Sequence, residues 1–350
     1  MNPVHTLRPL RVVHLVDDVS WGGVTRGLGF LGRDCAVSAV ARHSVVAVPA
    51  NSLRAPEVEA DMIVSHLTVS WRNMPRLTSL RARYPDLPMA HVEHSYCEGF
   101  VAGNVLRRLR FNTLLRSAFA LFDLVCPVSA AQGDWLVARG LGAPERMQLL
   151  RSCAGISEFL SLPVVAHAPR HFGVFGRFCM QKGFDMLIPA FRAITRPDVT
   201  LTLVGDGPMR TELERLAEGD PRIGFVGYSQ SPATMMARFD AVLMPSRWEA
   251  YGLVALETMA AGRGLLVSGV DGLADHVARG ASRCPGRGES DWTAAIEVMA
   301  SEDPQQGRAR RIAMRENVRN AELQFRQGYH DLVERLLPVD FHPELSRLGA

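Results

Sequence analysis

Short β-rich runs, several of them continuously apolar, alternate with helical stretches along most of the chain, and this restricts its folds more than any other feature. In the first half the runs are residues 11–16, 62–66, 89–92 and 124–128. In the second they are 171–175, 199–204, 223–226, 241–244 and 265–268. Runs of this kind suit strands covered on both faces, and intervening helices call for right-handed crossovers between parallel neighbours. The alternation restarts after residues 156–169, a stretch with two prolines and no clear period. The expected class is therefore α/β, with two Rossmann-like domains. We expect an N-terminal domain at 1–162, a second at 163–320, and a helical segment at 321–350 packing back on the first. A ligand cleft is expected between the two, at the carboxyl ends of the strands.

Composition bears on partners. A formal charge of +3 on 350 residues, without basic runs interleaved with aromatics or a zinc motif, argues against nucleic acid. The six cysteines are scattered without a C-x-x-C pair, which suits free thiols in a reducing compartment. The first residues lack a signal-peptide pattern, and no apolar run approaches the ~20 residues that cross a bilayer. A cytoplasmic location is the expectation.

Lys182 is the only lysine among 39 lysines and arginines, and it closes the segment Gly176-Arg177-Phe178-Cys179-Met180-Gln181-Lys182-Gly183. An arginine fork and a compact ammonium after a strand, at the start of a helix, suit a diphosphate. Gly205-Asp206-Gly207-Pro208 follows the run ending at Val204 and opens another helical stretch. It lacks the third glycine of a dinucleotide fingerprint. Further on, Pro245-Ser246-Arg247-Trp248-Glu249-Ala250-Tyr251-Gly252-Leu253 leads into a helix that carries Glu257. Gly252 permits close approach, the first helical N–H groups face an anion, and two glutamates eight residues apart suit hydroxyls. Nucleotide sugars, with a diphosphate at one end and hydroxyls at the other, are such ligands.

On these motifs the span 171–280 resembles the donor domain of the retaining GT-B-fold glycosyltransferases of family four (glycosyl transferases group 1). The landmarks are Gly176-Arg177…Lys182-Gly183, Gly205-x-Gly207-Pro208, Val226-Gly227, Pro245-Ser246-x-x-Glu249-x7-Glu257 and Met259-Ala260-x-Gly262. The resemblance implies Arg177 and Lys182 on the diphosphate, Glu249 on the donor sugar, Glu257 on the ribose, and Gly227 and Tyr228 near the base. Two positions depart from the family pattern: Arg263 where a small or polar residue is common, and Gly264 in place of proline. The first half is less similar. Gly22-Gly23 looks like the family's phosphate-closing glycine loop, and His94 matches its site histidine. The family's Pro-Asn-Gly-Val-Asp junction is replaced by residues 151–157, Arg-Ser-Cys-Ala-Gly-Ile-Ser. Asp17-Asp18 follows the first strand and is read as loop rather than as a metal-binding acidic pair.

Residues 106–111 and 114–116 form a basic, amphipathic stretch, in a first half (1–162) that carries 17 basic and 13 acidic side chains. Such a helix either lies on anionic lipid or buries its apolar side in the core. The functional expectation is a retaining, metal-independent hexosyltransferase of polysaccharide biosynthesis. It would need no cofactor, use a nucleotide diphospho-sugar, and act on a glycan or lipid-linked acceptor at the inner face of a membrane. Other GT-B enzymes, such as an epimerase or a phosphorylase, a silent binding subunit of a glycan-assembly complex, and a dinucleotide reductase remain as alternatives.

Overall fold

The structure, a computed structural model, describes residues 9–19, 22–33, 41–49 and 52–337. Its described residues fall into two units. The first draws on 1–96, 104–154 and 323 onward, the second on 97–103 and 155–322.

The first unit holds five parallel strands: β1 (Leu10–Val16), β2 (Ala41–Ala47), β3 (Met62–Ser65), β4 (Met89–Glu93) and β5 (Leu124–Pro127). Their order is β2-β1-β3-β4-β5. The three strands β3, β4 and β5 are buried at every position, as strands covered on both faces must be. At the edge, β2 is largely exposed or half-buried and polar, with Arg42, His43 and Ser44. That composition hides it from a search for apolar runs.

The second unit holds β6 (His171–Phe175), β7 (Thr200–Val204), β8 (Ile223–Val226), β9 (Ala241–Met244), β10 (Gly264–Val267) and β11 (Ser282–Arg283). The order is β11-β10-β9-β6-β7-β8, all parallel. Strand residues Phe172, Val174, Leu201, Leu203 and Leu243 pack with Phe191 and the fully buried Trp292 from the covering helices. Because β6 lies beside β9 and not only beside β7, the strand order reverses there. In an open parallel sheet, ligands bind at the carboxyl ends of the strands at such a reversal.

The units differ from the expected boundaries at 162 and 320 in ways the side chains explain. Glu322 accepts from the N–H groups of Ile156 and Ser157, at 2.6 and 3.0 Å, which draws the start of this stretch into the second unit. Arginines then clamp the segment that follows. Arg315 donates to the Leu162 carbonyl at 2.8 Å, Arg263 to Pro163 at 2.8 Å and Arg311 to Val165 at 3.1 Å. Arg263, one of the two departures from the family pattern, is thus a buried strut for the linker. Gly264, the other, begins β10, where a side chain would crowd Ala241 on β9. Residues 97–103 join the second unit because Asp271 accepts from the Gly99 N–H at 2.9 Å and the Cys97 thiol at 3.2 Å.

Candidate active site

The loops after β6 and β9 lie side by side at the reversal of the second sheet, and their residues are joined directly. Lys182 Nζ donates to Glu249 Oε2 at 2.5 Å, and the Ser246 hydroxyl approaches the same oxygen at 3.4 Å. Both side chains of the ion pair are mostly buried, at 18% and 12% exposure, so the pair is well shielded from water. The surrounding loop is fixed from several directions. Arg247 N–H donates to the Gln181 carbonyl at 2.8 Å, and the Arg247 guanidinium grips Asp185 through two bonds of 2.8 Å. Burial pushes the Asp185 carboxyl up, but the hydrogen bonds and charge of Arg247 outweigh it and hold the group below its ordinary value. Asp271, which adopts a left-handed backbone (φ 45°), accepts the Glu249 N–H at 3.3 Å.

Glycine is required where these loops touch. Gly205 has φ 145°, and a Cβ there would overlap the Gly176 carbonyl, so the loops after β6 and β7 can close only with glycine. Gly207 packs in the same way on the Phe178 backbone. Gly252, with φ 91°, caps the helix Leu253–Ala260, on which Glu257 is buried at 3% exposure. Arg177 stands exposed on the loop after β6. Gly227 and the exposed Tyr228 follow β8 at the sheet edge. Tyr251 is buried, its ring 4.8 Å from that of His276 and its carbonyl 3.1 Å from His276 Nε2. Leu253 begins the helix half-buried.

In the first unit, Gly22 and Gly23 open the helix Gly23–Arg33, where the Gly22 N–H donates to Thr25 Oγ1 at 3.0 Å. His94 directly follows β4. Gly23 and His94 line the same small cavity with Gly27, His66, Phe325 and Tyr329, and its ~20 Å³ has room for a water molecule. The carboxylate of Asp17 is taken up by Arg76 at 2.7 Å and by the Thr68 N–H at 3.0 Å, which leaves it occupied by protein donors. In the basic stretch, the helix Arg108–Phe119 buries Leu114 and Leu115, while Leu106 and Leu109 are fully or mostly exposed beside Arg107, Arg108 and Arg110.

Three histidines not singled out from sequence complete a chain with His94. His66 Nδ1 lies 2.8 Å from His94 Nε2, His14 Nδ1 3.0 Å from His66 Nε2, and His43 Nδ1 2.9 Å from His14 Nε2. Burial lowers all four below the ordinary 6.5, with His43 and His94 at about 4 and the other two well below 6.5. The unfolded chain therefore binds more protons than the folded one between pH 6.5 and about 4. Stability should be level above that window and fall as the pH drops through it, by up to ~1.4 kcal/mol per pH unit for each histidine that stays neutral. Urea unfolding at pH 7.5, 6.5, 5.5 and 4.5 checks this, and a flat profile would contradict it.

A doubly wound parallel sheet in each unit, with a cation–carboxylate site at the strand reversal of the second, makes this an α/β protein of the GT-B architecture. Residues 169–302 match the family described as "Glycosyl transferases group 1". It is 30% identical over 141 residues to a GDP-mannose-dependent alpha-(1-6)-phosphatidylinositol dimannoside mannosyltransferase of Mycobacterium tuberculosis, covering 38% of this chain and 35% of that protein. It is 28% identical over 258 residues to a glycogen synthase of the same species, covering 68% of this chain and 60% of the relative. The chain thus spans between about a third and three fifths of the length of these curated relatives. Among solved structures, HepE of Anabaena in complex with UDP and glucose superposes with a TM-score of 0.69 at 18% identity, covering 93% of this chain and all of that one. WaaG, a glycosyltransferase involved in lipopolysaccharide biosynthesis, gives 0.66 at 16% identity, covering 93% and 99%. Among the described residues, no helix is long and apolar enough to cross a membrane.

Proposed function

We propose that this protein is a retaining hexosyltransferase that takes its sugar from a nucleotide diphospho-sugar and passes it to a glycan or lipid-linked acceptor. The observation that carries the reading is the shielded Lys182–Glu249 pair at the strand reversal of the second sheet. An ammonium suited to phosphate beside a carboxylate suited to hydroxyls supports a ligand that carries a diphosphate next to a sugar. Arg177 and the start of the helix Leu253–Ala260 extend the positive field, and Glu257 on that helix serves the ribose. Chemistry then rests on positioning and on stabilising the departing nucleoside diphosphate while positive charge develops on the sugar. Retention follows from the family resemblance. One relative is GDP-mannose-dependent and one structural neighbour is bound to UDP and glucose, so the base is left to experiment.

An acceptor at a lipid surface is favoured by the exposed Leu106 and Leu109 among three arginines, a pattern that suits the interface of an anionic membrane. The leaving-group charge is met by Arg177, Lys182 and a helix terminus, and Asp17 is engaged by Arg76, so the reaction is proposed to proceed without a divalent ion. Transfer should accordingly survive excess EDTA with its rate unchanged. Loss of activity on chelation, restored by Mg²⁺ or Mn²⁺, would refute the metal-free mechanism.

A further inference from the structure

The four histidines form a staircase built by strand register. His43 on β2 lies opposite Val12 on β1, and His14 stands two residues beyond Val12. His14 in turn lies opposite Val64 on β3, and His66 stands two residues beyond Val64. Ser65 lies opposite His91 on β4, so His66 is level with Val92, and His94 again stands two residues beyond. Side chains two apart share a face, so each step crosses one strand and climbs two residues along the same face, reaching the carboxyl edge of the sheet. The result joins Nδ1 of each ring to Nε2 of the next at 2.8–3.0 Å.

That head-to-tail order has a consequence. A neutral imidazole has one donor nitrogen and one acceptor, and each bond needs one of each. With all four rings neutral, only two arrangements satisfy every bond: all four protonated at Nδ1, or all four at Nε2. The choice is collective. In the first, His94 presents an N–H at Nδ1; in the second, it presents a bare acceptor there. To pass from the first to the second, one proton enters at His43 Nε2, three protons each cross one hydrogen bond, and one leaves from His94 Nδ1. Net charge and proton count in the chain are unchanged.

We propose that His43, His14 and His66 are positioning residues that set which nitrogen of His94 carries its proton, coupling that choice to the His43 end. The proposal rests on the reading of His94 as a site residue. The surroundings favour neutral rings. Tyr329, from the helix Ala321–Leu336, sets its ring edge-on against His14 and His43 at 5.8 Å each and faces Cys126 on β5. Beside His94 on β4, the Glu93 carboxylate is occupied by the N–H groups of Ser95 and Tyr96, at 2.7 and 3.0 Å, and lies 3.6 Å from His91.

The test is nitrogen NMR on the full chain labelled with ¹⁵N-histidine, together with release of UDP or GDP from UDP-glucose and GDP-mannose. At neutral pH the four rings should show one shared tautomer. His43→Phe keeps a ring at the partly exposed end, farthest from His94. It should shift the His94 nitrogens toward a mixture of tautomers and lower kcat by about fivefold, the equivalent of one neutral hydrogen bond, with KM for the donor unchanged. His14→Phe, which cuts the chain in the middle, should do the same, and His66→Gln serves if either variant fails to fold. Unmoved His94 nitrogens would overturn the proposal, and so would moved nitrogens with a wild-type kcat. A wild-type rate in His94→Phe would overturn it through the functional reading. The nitrogen shifts, which do not depend on that reading, tell the two failures apart.

Discussion

Lys182→Ala is expected to lower turnover roughly a hundredfold or more while leaving the protein folded, because it removes a positioned charge from the departing diphosphate. The structure sharpens the expectation. Lys182 is held by the mostly buried Glu249, so its ammonium is already placed at the strand reversal. Lys182→Arg should recover only part of the rate. The guanidinium is larger and planar, and Lys182 packs its stem against Gly176, where the loop has no spare room. Glu249→Ala/Lys182→Ala should fall little below the worse single variant, since two groups in direct contact do not act independently. Kinetics of nucleoside diphosphate release decide the point, and near-wild-type turnover for Lys182→Ala would remove the diphosphate assignment.

Glu249 and Glu257 should fail in different ways. Glu257 is buried within the helix that starts at Leu253, and its proposed ribose contact is made equally in ground and transition states. Its loss in Glu257→Ala or Glu257→Gln should weaken binding of the nucleoside diphosphate about ten- to a hundredfold, as expected for a hydrogen bond to a charged group. Glu249 is proposed to meet the reacting sugar, so Glu249→Ala should slow transfer while the free nucleoside diphosphate still binds. Binding should even tighten slightly, because Lys182 loses the partner that competes with the phosphate. Calorimetry with UDP and GDP on both variants measures the contrast. Equal losses of nucleotide affinity would show that the division between sugar and ribose is wrong.

Much of this fold is legible in the residues because its central strands are buried on both sides. Runs such as residues 62–64 and 241–244 then read as unbroken apolar segments. The edge strands are less legible. β2 mixes Arg42, His43 and Ser44 with valines, and β11 has only Ser282 and Arg283, so neither carries the apolar signal. The junction moved because glutamate and arginine side chains far along the chain, Glu322, Arg311 and Arg315, hold the linker through its backbone, and no local pattern records such contacts.

The candidate site was legible as residues but not as an arrangement. Lys182 stood out as the lone lysine and Glu249 by its spacing from Glu257, yet their contact depends on β6 pairing with β9, strands far apart in sequence. His94 was visible by resemblance. His14, His43 and His66 were not, because each is a single histidine within or just after a strand, and only the register of the strands aligns them. For His14 and His66, a histidine late in an otherwise apolar run is a signal that could have found them; His43, early in the polar edge strand β2, has none.

The central claim is that the second unit binds a nucleotide diphospho-sugar through the Lys182–Glu249 site and that the protein turns it over. Its most direct test is a panel of UDP-, GDP-, ADP- and dTDP-sugars, scored for thermal stabilisation and for release of the nucleoside diphosphate. At least one member should raise the melting temperature of the wild type and be turned over. Lys182→Ala should lower the turnover roughly a hundredfold or more, and Glu257→Ala should diminish the stabilisation. If no member binds, or if binding and release are the same in wild type and both variants, the site is not where this chemistry takes place.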